Sequence, residues 1–275
     1  MGMRYLDNIG VEFEDNILEK DLSDVMRYIA NEEVVVFREQ DITAKQFVDV
    51  LRPHVKYSNA NHWCTHPDHP EIFRVTNKKI DDEGRMGFFG DGELDWHCNS
   101  PLNERHEEIV ALYCVEPDET CHTSFCNIRK AFNDLPEDIK DKCRKSSIVL
   151  RFKNNTIYDY KDYELKGAAE SNKKRGNFIP KRITKMVKNH PFTGEEYLYF
   201  PYAFYHKSDK DLVEYLKDFV LQDKYVYHHQ WKKGDVLLFD QLIGLHRRTA
   251  IDLKSVGKPN KPRELYRTVS WYNSW

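Results

Sequence analysis

The residues of this chain best suited to bind a metal ion lie in the segment 93–100, Glu-Leu-Asp-Trp-His-Cys-Asn-Ser. If this segment is a strand, its two-residue period places Asp95, His97 and Asn99 on one face. Leu94 and the tryptophan that follows Asp95 are then expected on the other face. A histidine followed two residues later by an oxygen-bearing side chain is a known arrangement of metal ligands.

A second histidine ligand is expected from far along the chain. The segment 234–241 predicts a turn and a buried strand, and His246 follows shortly after it. Two histidines and one carboxylate form the facial triad that binds iron(II) in non-haem oxygenases, and here Asn99 has the spacing of the carboxylate. About 150 residues separate His97 from His246, as expected of a fold built from non-local strands.

Composition narrows the class of protein. With 275 residues the chain is long enough for one large domain, and we predict a single domain over 1–275. Its 42 basic and 45 acidic residues give a net charge of −3, which argues against a general binder of nucleic acids or anionic membranes. We find no apolar run of transmembrane length and no signal-peptide core, and the six cysteines form no CxxC pair. A cytoplasmic protein with reduced thiols is therefore predicted.

The order of predicted elements indicates the fold class. Apolar residues recur with helical spacing over 22–29, and Thr43 with Gln46 forms a capping box for a second helix. The runs 34–37 and 109–115 are continuous and apolar, which suits strands covered on both faces. Strands outnumber helices in the central and C-terminal parts of the chain. This predicts a mainly β, jelly-roll-like fold with helices packed outside.

The segment 62–69 contains three histidines and one cysteine. Structural zinc sites normally draw their ligands from two separated pairs, and Pro67 and Pro70 indicate a turn, so zinc is disfavoured. We expect a loop at the surface or at the substrate pocket, with His62 or Trp63 lining that pocket.

Residues 153–182 are polar, dotted with tyrosine and highly charged. A long segment of this kind inside a compact domain is usually disordered or a functional lid, and we predict a lid or loop insertion. Its basic cluster is interpreted first as a solvated face and second as an anion-binding surface. Nucleic acid is the least favoured partner.

In their order along the chain, these motifs resemble the taurine dioxygenase-like (clavaminate synthase-like) family of iron(II)/2-oxoglutarate oxygenases. The resemblance runs from Ile9 to Trp271 and implies a double-stranded β-helix. Besides the opening helix, strand and helix, the motifs that carry it are Trp96-His97-Cys98-Asn99, Thr123-Ser124-Phe125, His190-Pro191 to Gly194, Trp231 to Asp240, His246-Arg247, and Arg263 with Arg267.

The resemblance assigns roles to individual residues. It implies His97 and His246 as iron ligands, with Asn99 at the position of the carboxylate. It also implies that Thr123 hydrogen-bonds 2-oxoglutarate and that Arg263 pairs with the distal carboxylate of this cosubstrate. A planar guanidinium suits that task because it forms two parallel hydrogen bonds with a carboxylate.

Arg267 lies four residues beyond Arg263 and therefore on the same face of a strand. It is expected near the substrate or near the other carboxylate of the cosubstrate. A surface strand is the alternative for both arginines, and it is disfavoured because they fall beside Leu265 and Val269.

Asn99 departs from the family pattern, because an amide oxygen is a neutral and weaker ligand than a carboxylate. Three interpretations stay open. In the first, Asn99 or a water fills the position and the enzyme still hydroxylates its substrate. In the second, a halide fills it as in the halogenases of the family, although Asn leaves little vacant volume. In the third, turnover is lost and the protein senses iron and 2-oxoglutarate.

Asp95 is the local acid that could replace the missing charge. We expect it to contact His97 from behind or to be structural, because ligation from this side would need the site rebuilt.

The resemblance predicts a dioxygenase, an oxidoreductase that hydroxylates a small molecule with dioxygen and releases succinate and carbon dioxide. His62, Trp63, Asp95 and Arg267 would form the substrate pocket, with an anionic substrate slightly favoured. A homo-oligomer is compatible with the resemblance.

Overall fold

The computed structural model describes residues 2–51, 64–80, 82, 84, 87, 94–102, 107–151, 181–248 and 261–272. The lid predicted at 153–182 lies outside the described residues, except for residues 181 and 182 at its C-terminal end. His62 and Trp63, expected to line the substrate pocket, also lie outside them.

Helices of the described residues are α1 (Leu22–Glu32), α2 (Ala44–Leu51), α3 (Ile128–Asp134), α4 (Glu137–Lys145) and α5 (Lys210–Val220). The capping box predicted for α2 is present, because the Gln46 N–H donates to Thr43 Oγ1 at 3.2 Å and the Thr43 N–H donates to Gln46 Oε1 at 2.9 Å. No helix in the described residues is long and apolar enough to cross a membrane.

Strands dominate the described part of the chain, which confirms a mainly β protein with few helices. They are β1 (Met3–Tyr5), β2 (Val11–Phe13), β3 (Val34–Phe37), β4 (Phe73–Thr76), β5 (Leu94–His97), β6 (Ile109–Glu116), β7 (His122–Asn127), β8 (Ser147–Arg151), β9 (Lys181–Lys185), β10 (Val187–Asn189), β11 (Glu196–Leu198), β12 (Tyr205–Lys207), β13 (Val226–Gln230), β14 (Val236–Asp240), β15 (Gly244–Arg248) and β16 (Glu264–Ser270).

Two sheets contain most of these strands. The larger sheet has the order β1-β2-β3-β14-β6-β16-β4, and the smaller has the order β13-β7-β15-β5. Their strand pairs are antiparallel except for β2 with β3. In the smaller sheet, neighbouring strands come from distant parts of the chain, so residues near positions 97, 123 and 246 meet there.

β3 shows how the larger sheet is covered on both faces. Val34 and Val36 belong to the apolar cluster that includes Phe125 of β7, in the smaller sheet. The alternate residues Val35 and Phe37 belong to the cluster that contains the buried face of α1. The smaller sheet therefore packs on one face of the larger sheet and a helix packs on the other, which explains why β3 is apolar without alternation.

Candidate active site

His97 and His246 are brought together by the pairing of β5 with β15. The antiparallel register places the two residues directly opposite each other. Their ring centroids are 4.2 Å apart, with 47° between the ring planes. The structure thus brings together the two histidines expected as metal ligands.

Both histidines are held in the neutral form that binds metal ions. Nδ1 of His97 donates a hydrogen bond to the carbonyl oxygen of Asp95 at 2.6 Å, so the lone pair of this imidazole is on Nε2. Burial lowers the pKa of His97 to about 4. Burial, followed by the charges of His97 and Arg267, lowers the pKa of His246 well below its usual value. Protons therefore occupy these two rings only weakly near neutral pH, as a metal ligand requires.

A β-bulge in β5 changes the direction of the side chains that precede His97. His97 pairs with His246 and Leu94 pairs with Arg248, so three steps along β5 oppose two steps along β15. Leu94 and His97 consequently line the same cavity, while Asp95 is exposed. The prediction that Leu94 faces away from His97 was wrong, because it assumed an unbroken two-residue period.

The role expected for the Asp95 side chain also changes. Its carbonyl oxygen, rather than its carboxylate, contacts His97, and the carboxylate accepts a hydrogen bond from the Trp96 N–H at 2.7 Å. Asp95 lies outside the cavity lining. It supports the His97 ring through its backbone carbonyl oxygen.

Asn99 is buried and lines the same cavity as the two histidines. Its N–H donates to Gln241 Oε1 at 2.9 Å, and Gln241 Nε2 donates to the carbonyl oxygen of Glu107 at 2.7 Å. Ser100 has a φ of +52°, so the chain turns sharply just after Asn99. Gln241 therefore fixes the position of Asn99, a role that the sequence did not indicate.

The donor atoms fit a divalent metal ion of the iron(II) type. A metal about 2.1 Å from one nitrogen of each ring would place two adjacent ligand rings about 4.5 Å apart, close to the spacing of His97 and His246. Imidazole nitrogen and amide oxygen are suitable donors, although the amide is weaker than a carboxylate. Within the described residues, no third His, Cys, Asp or Glu joins the two histidines as a metal-binding group.

Thr123, the residue expected to bind the cosubstrate, also lines the cavity. Its Oγ1 accepts a hydrogen bond from the indole N–H of Trp231 at 2.9 Å. Both side chains are buried. Because an indole N–H can only donate, this contact leaves the hydroxyl proton of Thr123 available for an acceptor in the cavity.

Arg263 and Arg267 both reach the cavity lining, and both are buried. The backbone of Arg263 is tied to the adjacent strand, since its N–H donates to Asn77 Oδ1 at 2.9 Å and its carbonyl oxygen accepts from Thr76 Oγ1 at 2.6 Å. Arg267 forms an ion pair with Glu107. A surface position, the alternative for both arginines, was wrong.

Arg247 and Arg248 also line the cavity, and they were not predicted. The guanidinium carbon of Arg247 lies 4.8 Å from the ring centroid of Trp96. Arg248 is buried and pairs with Thr123 across β7 and β15. Arg248 lies two residues after His246, so the period of a strand could have indicated that both line the cavity. The position of Arg247 in the lining depends on the irregular pairing of β15 with β5, which the sequence does not show.

The cavity has a volume of about 60 Å³, and the ionisable side chains of its lining, apart from the histidines, are all arginines. Its lining contains four arginines and no carboxylate among the described residues. Apolar side chains complete the lining, namely Val75, Leu94, Val110, Leu112, Phe239 and Leu265.

Outside the cavity, two buried histidines each contact an aspartate. His190 Nε2 donates to Asp240 Oδ2 at 2.7 Å, and Asp240 also accepts from the hydroxyl group of Tyr272 and the N–H of Leu242. His229 Nε2 lies 3.3 Å from Asp235 Oδ2, which also pairs with Arg38 at 2.6 Å. None of the four histidine and aspartate residues lines the cavity.

Comparison with known proteins identifies the family. The family described as taurine catabolism dioxygenase TauD, TfdA family matches residues 3–269. The α-ketoglutarate-dependent 2,4-dichlorophenoxyacetate dioxygenase of Burkholderia sp. (strain RASC) is 26% identical over 167 residues, which are 58% of this chain and 53% of that protein. This chain therefore aligns with only about half the length of that relative. Pentalenolactone F synthase of Streptomyces avermitilis is 24% identical over 226 residues, 75% of this chain and 70% of that protein.

Solved structures share the fold over nearly the whole chain. A taurine dioxygenase from Burkholderia xenovorans superposes with a TM-score of 0.73 at 18% identity, covering 98% of this chain and 89% of that one. The structure of AAD-2 in complex with Mn(II) and N-oxalylglycine superposes with a TM-score of 0.72 at 17% identity, covering 98% and 96%. The chain belongs to the TauD/TfdA family of oxidoreductases, whose cofactors are iron(II) and 2-oxoglutarate.

Proposed function

We propose that the protein is an iron(II)/2-oxoglutarate-dependent dioxygenase that hydroxylates a small anionic substrate and releases succinate and carbon dioxide. The observation that carries this proposal is the pair of neutral imidazoles, 4.2 Å apart, in a cavity lined by four arginines. We also propose that the two larger sheets form the double-stranded β-helix of the family within a single domain.

In this proposal His97 and His246 hold iron(II), and the side-chain oxygen of Asn99 is the third protein ligand. When bound, iron(II) supplies the redox chemistry that couples dioxygen and 2-oxoglutarate to the oxidation of a C–H bond. The carbonyl oxygen of Asp95 orients the His97 ring and keeps its Nε2 lone pair available.

Arg263 and Thr123 bind 2-oxoglutarate in this proposal. The guanidinium of Arg263 presents parallel N–H donors to the distal carboxylate, and its backbone contacts with Thr76 and Asn77 hold it in place. The Thr123 hydroxyl donates to a cosubstrate oxygen, because the indole N–H of Trp231 already occupies a lone pair of Oγ1. The apolar lining limits the access of water.

The remaining arginines favour an anionic substrate. Nε of Arg247 is buried and has no hydrogen-bond partner among the described residues, and this side chain lines the cavity. Arg267 is oriented by Glu107, which leaves donors of its guanidinium for a carboxylate. Two relatives act on carboxylates, 2,4-dichlorophenoxyacetate and (S)-phenoxypropionate. We propose Arg247 and Arg267 as the groups that bind the substrate anion.

The test is the release of succinate from 2-oxoglutarate when oxygen is admitted to the anaerobically iron-loaded protein. We expect succinate from uncoupled turnover without added substrate, and none above background from His246→Ala. Equal release by the wild type and the variant would contradict the proposal. Parallel reactions with chloride and a panel of small carboxylates separate hydroxylation from halogenation by the mass of the product.

A second candidate function is a non-catalytic sensor of iron and 2-oxoglutarate. The amide of Asn99 favours it, because a weaker ligand set makes the metal easier to lose. This candidate predicts binding of both ligands but no succinate, even with substrates that bind to the protein.

A further inference from the structure

Arg267 is a cavity arginine whose charge acts on both expected metal ligands. It lines the cavity of about 60 Å³ together with His97 and His246. Burial is the main cause of the lowered pKa of each histidine, and the charge of Arg267 lowers both pKa values further. A fixed positive charge that disfavours a protonated imidazole also disfavours a metal cation bound between the same two rings.

Glu107 is the counter-ion of this arginine. Arg267 Nη2 donates to Glu107 Oε2, and the two side chains are 7% and 16% exposed, respectively, so water screens the pair only weakly. Glu107 does not belong to the cavity lining, so its carboxylate lies behind the guanidinium rather than in the cavity. From this position it offsets the positive charge of Arg267 and leaves the cavity free for ligands.

Gln241 holds Glu107 in this position. Gln241 Nε2 donates to the carbonyl oxygen of Glu107 at 2.7 Å and lies 3.4 Å from Glu107 Oε2. On its other side, Gln241 Oε1 accepts from the Asn99 N–H at 2.9 Å. This contact fixes the orientation of the amide, because a backbone N–H can only donate. Glu107 is therefore held in place relative to both Arg267 and Asn99.

We propose that Glu107 is a positioning residue that acts through Arg267, and that its charge allows a divalent cation to bind beside this arginine. The inference rests on the proposed function, because it assumes that a metal ion and 2-oxoglutarate bind in the cavity. It has a consequence that a purely structural role of Glu107 does not have. Loss of the Glu107 charge must weaken the binding of a cation and strengthen the binding of an anion in the same cavity.

The test compares Glu107→Gln with the wild type in two titrations of the full chain. Mn(II) binding at saturating 2-oxoglutarate is measured from the electron paramagnetic resonance signal of free Mn(II), with the complex formed in buffer subtracted. Binding of 2-oxoglutarate at saturating Mn(II) is measured by calorimetry. We expect the Kd of Mn(II) to rise about fivefold and the Kd of 2-oxoglutarate to fall about fivefold. Glu214→Gln, the same change on the exposed surface of α5, should match the wild type in both titrations.

Removal of the arginine shows whether Glu107 acts through it. Arg267→Gln should lower the Kd of Mn(II) about fivefold. The double variant Glu107→Gln/Arg267→Gln should bind Mn(II) within about twofold of the wild type, because both charges of the pair are absent. Thermal melts check the folding of each variant. If Glu107→Gln alone does not fold, the comparison of Arg267→Gln with the double variant measures the loss of the same carboxylate.

The signs of the two changes decide the outcome. Weaker binding of both ligands by Glu107→Gln would mean a structural role and would overturn the inference, with the proposed function left in place. Unchanged Kd values in Glu107→Gln, or a double variant that binds Mn(II) as weakly as Glu107→Gln, would overturn it as well. A wild type that binds Mn(II) and 2-oxoglutarate in no combination would overturn the proposed function together with the inference.

Discussion

Four histidines of the described residues, three of them buried and His246 half-buried, fall into two pairs with different surroundings. His190 and His229 each contact an aspartate, Asp240 and Asp235 respectively. In the cavity, His97 instead contacts a backbone carbonyl oxygen and the His246 ring. The fold thus supplies an aspartate to each of the first two histidines and a backbone carbonyl oxygen to His97.

The difference separates histidines whose contacts join parts of the fold from histidines that line the candidate active site. His190 Nδ1 accepts from the Thr193 N–H at 3.1 Å while Nε2 donates to Asp240, so this ring joins the turn at 190–194 to the end of β14. Both of its nitrogens are used for structure. In the cavity, by contrast, the two histidines share the lining with four arginines, and no carboxylate of the described residues lines it.

Loss of a cavity histidine should have the largest effect on ligand binding. His246→Ala removes one of the two imidazole donors and is expected to weaken Mn(II) binding in the presence of 2-oxoglutarate by more than about 100-fold. The matched control is His206→Ala, because this histidine is exposed on β12. Equilibrium dialysis with a thermal melt checks both variants. Stoichiometric metal in a folded His246→Ala protein would contradict the assignment.

Disruption of a histidine and aspartate pair should instead lower stability. Asp240→Asn replaces a buried carboxylate that accepts hydrogen bonds from His190, Tyr272 and Leu242 with a group that keeps one acceptor oxygen. The free energy of unfolding is expected to fall by about 3 kcal/mol in urea titrations. Asp218→Asn, on the exposed face of α5, should change it by less than about 0.5 kcal/mol. A large change in Mn(II) affinity with unchanged stability would contradict the division between the two pairs.

Substitution of a cavity arginine tests whether geometry or charge alone binds the cosubstrate. Arg263→Lys keeps the positive charge but loses the planar pair of N–H donors, and the Kd of 2-oxoglutarate is expected to rise about 20-fold, measured by calorimetry with Mn(II) present. Arg27→Lys, an exposed residue of α1, serves as the control. Unchanged affinity in Arg263→Lys would mean that another arginine binds the distal carboxylate.

Outside the cavity, the carboxyl group of Glu33 is buried and has no hydrogen-bond partner among the described residues. Burial and then the charge of Asp240 raise its pKa well above the usual 4.5. The folded state therefore retains this proton to a higher pH than the unfolded state, so the contribution to stability is present at low pH and is lost as the pH rises above 4.5.

Replacement of the Glu33 carboxyl group should reduce the pH dependence of the free energy of unfolding. Glu33→Gln is expected to gain about 1–2 kcal/mol in the free energy of unfolding relative to the wild type between pH 5 and pH 8. Glu214→Gln, exposed on α5, is the control. Parallel pH profiles for the wild type and Glu33→Gln would show that the carboxyl group of Glu33 is hydrogen-bonded or hydrated in the folded protein.

The smallest effect is expected from the residue that orients Thr123. Trp231→Phe removes the indole N–H and should raise the Kd of 2-oxoglutarate about threefold. In a Thr123→Val background the same substitution should have no effect, because the hydroxyl that it orients is gone. An equal penalty in both backgrounds would indicate a packing role for Trp231 alone.

Sequence patterns predicted the elements whose spacing is regular. The apolar runs of β3, β6 and β14 indicated buried strands, and the strand endings placed His97 and His246 as one candidate pair. Side-chain chemistry together with the family resemblance also selected Thr123, Arg263 and Arg267, all of which line the cavity. Their roles as ligands stay predictions until binding is measured.

Sequence patterns failed where tertiary structure breaks a local rule. The bulge in β5 arises from its pairing with β15, so the position of Leu94 and the exposure of Asp95 were not visible in a period of two. The hydrogen bond between Asn99 and Gln241 joins residues 142 positions apart. Contacts of that range carry no local signal in one sequence.

The most direct test of the central claim is a crystal structure of the protein with Mn(II) and N-oxalylglycine, with anomalous scattering used to locate the metal. We predict one manganese peak between the rings of His97 and His246, within bonding distance of the Asn99 side chain, and the distal carboxylate of N-oxalylglycine on Arg263. A metal bound without either histidine, or an analogue bound away from the arginine-lined cavity, would contradict the account.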